Sequence, residues 1–442
     1  MIVLQSIAAF LLILGPLVFV HELGHFLVAK ALRIGVPIFS LGFGPRLFGF
    51  RRGGTDYRVS AIPMGGYVRL SGDEADESAR GLPEEFLTRP KWQRFLVFVA
   101  GATFNMILAF LITWFLFAQY GVNEVGDPDA YPTVRIVAAD SAAERAGLER
   151  GDTLLEIAGR DLRGFEIFTE AYNLEIALAP NSKKRVVVDR AGERVELELH
   201  VESDPVYGHG AAPGWDLSWG GDETPIIAGV TEGDRADVAG IRVGDRVLAV
   251  AGKEPIAEFD LRAAIEASPE RDLELKLDRD GEEITLTVVP KSEDGRGLIG
   301  VLLGRASVHR ELNIVEAAKQ SMRENLANSL MLFHVLKRMM TREVPLRSVS
   351  GPIGIAQVAR DALSRSPRQF IWLLGFFSLQ LGILNLLPVP VLDGGHIMIL
   401  FIEGLIRRDL PDRVKERVMQ VGFVFLLTFM GMVIYLDIGK LF

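Results

Sequence analysis

The sequence predicts a polytopic α-helical membrane protein with four transmembrane helices, a membrane-associated β-hairpin region, and two small α+β domains inserted between the second and third spans. Three observations predict it. Four long apolar stretches lie toward the ends of the 442-residue chain, the middle is strongly acidic, and part of that middle repeats itself. Hydrophobic residues make up 49% of the chain and the net charge is -9, which excludes a disordered or polybasic chain and makes nucleic acid an unsuitable partner. With Cys 0, any metal must rest on His, Asp or Glu.

A bilayer core of about 30 Å needs about 20 apolar residues in a helix. Residues 2–20, 95–120, 370–387 and 418–436 meet that need, so the expected spans are 2–32, 93–120, 370–405 with a break at 385–393, and 416–437. The first segment lacks a basic leader and runs into HELGH rather than a small-residue cleavage site, so it is read as retained. Ten Lys/Arg between Arg33 and Arg94 and five between Arg407 and Arg417 put both of these loops on the cytoplasmic side. The acidic middle and both termini then lie outside.

Between the first two spans, residues 39–50 and 56–70 carry turn glycines and alternating strand-like residues, and are read as hairpins that dip to the membrane, with one edge free for an extended substrate. Membrane domain and loop together form the expected segment 1–121.

From 121 to 306 the chain has 21 basic and 38 acidic residues. Within it AERAGLERGDTLLEIAGR at 143–160 and ADVAGIRVGDRVLAVAGK at 236–253 match at a constant offset of 93 residues. Each copy reads as a short helix, a Gly-Asp turn and an apolar strand. The A-G-[LI]-x-x-G-D pattern resembles the bacterial PDZ domain, which receives peptide by strand addition. The expected domains are 122–218 and 219–306, and Gly297-Leu298-Ile299-Gly300-Val301 in the second resembles a carboxylate-receiving loop. A spacer or size filter stays open beside peptide binding. Residues 307–369 read as a helical connector whose 311–342 stretch is partly interfacial, with His334 a packing or interface residue rather than a ligand. The second membrane half is 370–442.

His21-Glu22-Leu23-Gly24-His25 is an H-E-x-x-H sequence, which on a helix places two imidazoles on one face. A charged residue between them at the end of a membrane helix is costly, so it reads as functional. A third ligand should come from another span. Asp393, in NLLPVPVLDGGH, is the candidate, with a helix cap as its bland alternative and His396 as a rival ligand. His21 lies 19 residues from Ile2 and Asp393 lies 23 from Phe370, so both reach roughly 30 Å into the bilayer, near the cytoplasmic side. Pro388 and Pro390 free backbone groups, tolerable at this depth only if the segment is buried in protein or lines a wet cavity.

HELGH, NLLPVPVLDGGH and paired PDZ-like domains between the second and third spans together resemble the site-2 protease family of intramembrane zinc metalloproteases. The resemblance covers nearly the whole chain. It implies one Zn2+ per chain held by His21, His25 and Asp393, with Glu22 as catalytic acid/base and Asn385 assisting substrate or transition state. A helix-ending role for Asn385 stays open from the residues alone. Gly101-Ala102-Thr103-Phe104-Asn105 is similar to the family's G-P-x-x-N, with Ala102 in place of proline. The resemblance further implies a bacterial inner-membrane location, and a membrane-anchored substrate such as an anti-sigma factor or a remnant signal peptide. Lipid bilayer and peptide ligands of the PDZ-like domains complete the expected partners. A non-enzymatic scaffold with tandem peptide-binding domains leaves the intramembrane His and Asp unexplained. A zinc transporter would need polar residues spread along a path.

Overall fold

The computed structural model describes residues 2–72, 82–124, 126–127, 129–203, 210–219, 224–254, 258–293, 295–305, 308–341 and 351–439. The boundary expected at 306/307 and the end at 342 of the partly interfacial stretch fall outside them. The chain divides into two compact units.

The first unit comprises Met1–Gly121, Leu312–Phe333 and Val349–Phe442. It opens with helix α1 (Ile2–Ala31), then strands β1 (Ile38–Arg52) and β2 (Thr55–Arg69), then α2 (Lys91–Tyr120). Among the described residues, three helices, Leu4–Ala31, Lys91–Tyr120 and Asp412–Gly439, are long and apolar enough to cross a membrane. Their outward faces carry Leu4, Leu12, Phe115, Val421 and Phe423, all exposed, as a lipid-facing surface requires. The result is a multispan α+β membrane protein.

In the hairpin, Ile38, Phe39, Ser40 and Leu41 each register on two partners, one in 56–59 and one in 66–69. Segment 38–41 is therefore central, and 66–69 lies at an edge. The alternation of Phe39, Tyr57 and Val68 against Phe26, Ile34 and Val97 builds the core that fastens this sheet to α1 and α2.

The second unit comprises Val122–Glu311 and His334–Ser348. It contains β3 (Val122–Glu124), β4 (Thr133–Val137), α3 (Ala142–Arg145), β5 (Thr153–Ile157), β6 (Arg160–Asp161), α4 (Phe165–Tyr172), β7 (Ser182–Arg190), β8 (Glu193–Val201) and β9 (Trp215–Ser218). The second repeat follows with β10 (Pro225–Val230), α5 (Arg235–Val238), β11 (Arg246–Val250), α6 (Glu258–Glu266), β12 (Leu273–Arg279), β13 (Glu282–Val288), β14 (Lys291–Glu293), β15 (Arg296–Leu298) and β16 (Val301–Arg305). Sheet order is β8-β7-β5-β4-β9 in the first and β13-β12-β11-β10-β16 in the second, the same arrangement twice. Each sheet closes over its own apolar core. A strand β17 (Val308–Arg310) pairs back on β3, so the connector begins as a strand and becomes helical only afterwards.

The chain continues through α7 (Ile314–Met340), α8 (Pro352–Arg365), α9 (Pro367–Asn385), α10 (Asp393–Leu405) and α11 (Asp412–Gly439). The expected third span is thus two helices, α9 and α10, separated at Pro388 and Pro390 where neither backbone N–H nor helical geometry is available. Helix α8 starts on a buried carboxylate: Gly351, Ile353 and Gly354 N–H groups donate to Asp437 of α11 at 2.9, 3.2 and 3.1 Å. That satisfies donors a helix start leaves open.

Candidate metal centre

The H-E-x-x-H residues lie within α1, and Asp393 opens α10. Glycines make the meeting possible. A Cβ on Gly24 would stand 2.6 Å from the Ala100 carbonyl oxygen, and one on Gly101 would stand 2.3 Å from His25 Nε2. The two helices therefore approach as closely as backbone allows, with the imidazoles in the space Gly101 leaves. Asp393 is delivered by a tightly folded turn. Cβ atoms on Gly394 and Gly395 would sit 2.1 and 2.4 Å from the carbonyl oxygens of Leu387 and Val389, and Val391 is held at φ 81°. A β-branched residue in that region costs about 1–3 kcal/mol, so the turn is imposed by its surroundings. Gly422 of α11 supplies one of them, since a Cβ there would meet Pro390 at 2.2 Å.

The donor atoms converge. His21 Nε2 and His25 Nε2 are 3.1 Å apart, and Asp393 Oδ2 lies 3.2 Å from the first and 3.5 Å from the second. Zinc with ligand bonds of about 2.0–2.2 Å has tetrahedral edges of about 3.3 Å, so these three atoms form one face of such a site. Asp393 Oδ2 is buried without a hydrogen-bond partner. Three lone-pair atoms turned on one another in a low-dielectric setting are unfavourable unless a cation joins them. The donor set therefore fits zinc and leaves a fourth position open.

The neighbours fix how the rings present themselves. His25 Nδ1–H donates to the Val97 carbonyl at 2.7 Å, which leaves Nε2 with its lone pair inward. The amides of Asn105 and Asn385 lie 3.5 and 3.4 Å from His21 Nδ1. Either amide, rotated about its last bond, can accept the proton that Nδ1 carries when Nε2 is a ligand. Asn105, fully buried on α2, reaches the site, and the sequence presents it only as part of a motif match. Its isolated amide in an apolar span was the available signal. His396 stands apart from the donor atoms, stacked on Phe98 with ring centroids 4.6 Å apart. Among the described residues, His21, His25 and Asp393 are the one group of this kind brought within ligand range.

Glu22 lies on the same cavity, of about 830 Å³, which also takes in Tyr67, Val68, Asn385 and Asp393. The sheet edge comes close here: a Cβ on Gly66 would be 3.1 Å from Glu22 Cγ. His334, in the other unit, faces Arg160 at 3.4 Å.

Comparison with known proteins agrees with this chemistry. The sequence model of "Peptidase family M50" matches residues 9–429. A "Putative zinc metalloprotease" of Xylella fastidiosa (strain Temecula1) is 32% identical over 98% of this chain and 99% of its own. "Regulator of sigma-E protease RseP" of Escherichia coli (strain K12) is 29% identical over 99% of each chain.

Proposed function

The chain belongs to peptidase family M50 and is a zinc metalloprotease, and from that premise we propose that it cuts transmembrane segments of single-span membrane proteins. The substrate we assign is a membrane-anchored anti-sigma factor at its second cut, with remnant signal peptides as a further class, in the inner membrane of a bacterium. One zinc per chain is held by His21, His25 and Asp393. The α9–α10 pair forms a fourth span, the repeats at 122–218 and 219–306 and both termini lie outside, and the metal lies toward the cytoplasmic face. The observation that carries the reading is the convergence of two histidines from α1 with an aspartate from α10 inside a segment too apolar for structural charges.

Zinc, when bound, supplies a Lewis acid that polarises a carbonyl and acidifies water. Glu22 takes the proton of the attacking water and passes it to the leaving amine. Asn105 and Asn385 hold the His21 ring in its ligating tautomer, and Asn385, which lines the cavity, can also donate to substrate backbone. A helical substrate must be unwound first. The edge at 66–69, beside Glu22, is placed to take an extended strand. Purified protein bearing Glu22→Gln should keep its zinc and lose cleavage of a single-span substrate by at least about 100-fold. Asp393→Ala should lose both. A Glu22→Gln protein as active as wild type rejects the reading.

A further inference from the structure

Arg94 stands in the first turn of α2, among the loop charges that bias topology, yet it is buried and lines the same cavity as His21, His25 and Asp393. Its Nε has no hydrogen-bond partner, and its nearest carboxylate, Asp409, is 4.0 Å away and already engaged by Lys91 at 3.0 Å. The other basic group on the cavity wall, Lys415, is committed to Glu403 at 2.8 Å, which also accepts from the Leu410 N–H at 2.9 Å. Asp412 and Glu416 complete the charged lining. A guanidinium desolvated to this extent with an unmet donor is costly unless an anion reaches it.

We infer that Arg94 is a specificity subsite for a substrate carboxylate, an acidic side chain three or four residues from the scissile bond on the side toward the start of α2. The inference rests on the proteolytic reading above. Arg94 lies seven residues before Gly101, which is level with the metal ligands, or about 10 Å along the helix axis. Helical side chains lean toward the N-terminus, which carries the guanidinium further from the metal. At about 3.3 Å per extended residue, that span is three or four residues of substrate. The carboxylate created by the cut forms at the metal and is too far away to be the ligand. A lipid phosphate is less suited, because Arg94 lines the cavity that the catalytic groups share.

The test is a series of single-span substrates in which one Glu, or its Gln counterpart, occupies successive positions two to six residues from the cut. They are cleaved by full-length wild type, Arg94→Gln and Arg94→Lys in zwitterionic vesicles and in vesicles with added anionic lipid. Wild type should prefer Glu to Gln about tenfold or more in kcat/KM at one position, three or four residues away. Arg94→Gln should abolish that ratio and Arg94→Lys should keep part of it. The ratio within each protein is its own folding control. No preference at any position in wild type, or a ratio unchanged in both variants, overturns the subsite. So does a wild-type rate that responds to anionic lipid and not to Glu. Failure of wild type to cut any member of the series would instead reject the proteolytic reading.

Discussion

The two repeats of the second unit share one internal staple and differ at one edge, and the difference separates what holds this fold from what it can receive. In the first, Arg190 donates from Nε and Nη2 to Asp152 at 2.7 Å each, and from Nη2 to the Gly147 carbonyl at 2.8 Å. In the second, Arg279 does the same to Asp245 at 2.8 and 2.7 Å and to Gly240 at 2.7 Å. The carboxylate of each Gly-Asp turn is thereby tied to the end of a distant strand. The edges diverge. One residue past β9, and just beyond the boundary expected at 218, the fully buried Trp219 belongs to the first repeat's core and stacks edge-to-face on Phe165 and Phe168, each 5.1 Å away. Its carbonyl also accepts from the Asp127 N–H at 2.9 Å. In the second repeat the corresponding edge is β16, where Val301 and Leu303 face the core that Leu261 and Ile265 of α6 share, while Leu302 points away from it, 52% exposed, and Leu298 of the carboxylate-loop candidate is also exposed. The first edge ends in a tryptophan turned inward, and the second turns apolar side chains to solvent.

The largest effect should come from removing that tryptophan. Trp219→Ala should destabilise the first repeat by about 3–5 kcal/mol. Hydrogen exchange on the full chain should show lost protection across β4 and α4 while β10 and β11 keep theirs. Equal loss in both repeats would mean that they unfold as one.

The staples come next. Asp152→Ala and Asp245→Ala each remove a carboxylate 1% exposed from an arginine about a quarter exposed. Each should cost about 2–3 kcal/mol, below the range for a fully buried pair because water reaches the guanidinium. Similar costs in thermal unfolding would confirm that the staple is one device used twice.

The arginines were not legible in advance, and the reason is physical. Asp152 and Asp245 stood out because they follow a turn glycine at the 93-residue repeat offset, whereas Arg190 and Arg279 fall 89 residues apart, each on a strand whose partner only the folded sheet specifies. The membrane unit was more readable. Apolar length gave α1, α2 and α11 to within a few residues, and HELGH and the Pro-interrupted LDGG segment named the donor atoms that meet. Hydropathy could not tell the buried Arg94 from the exposed basic loop around it, nor show that Asn105 reaches His21, because both depend on which face of α2 packs inward.

Acid should expose a property of the second staple. Burial disfavours ionisation of Asp245, but the Arg279 hydrogen bonds and the Arg242 N–H outweigh it and hold the carboxyl below its ordinary value. A folded value below the unfolded one contributes stability fully present above about pH 4 and lost as pH falls toward the folded value. The stability gap between wild type and Asp245→Asn should therefore narrow as pH falls below about 4. A constant gap in melting temperature down to pH 3 would show that the carboxylate's charge contributes nothing.

The smallest effect on stability falls at the open edge, where the functional effect is largest. Leu302→Lys changes an exposed residue, so the second repeat should stay within about 0.5 kcal/mol of wild type. A peptide adding to β16 would use backbone bonds for affinity and an apolar side chain against Leu302 and Leu298 for selectivity, so the substitution should weaken binding of a peptide with an apolar C-terminus by about tenfold. Titration of the full chain with such a peptide, free and amidated at its end, measures this directly. The same titration with Trp219→Ala asks whether removing the inward tryptophan creates a second site. If wild type binds one peptide, insensitive to Leu302→Lys, the two edges do not govern reception, and the repeats are better understood as a filter on substrate size.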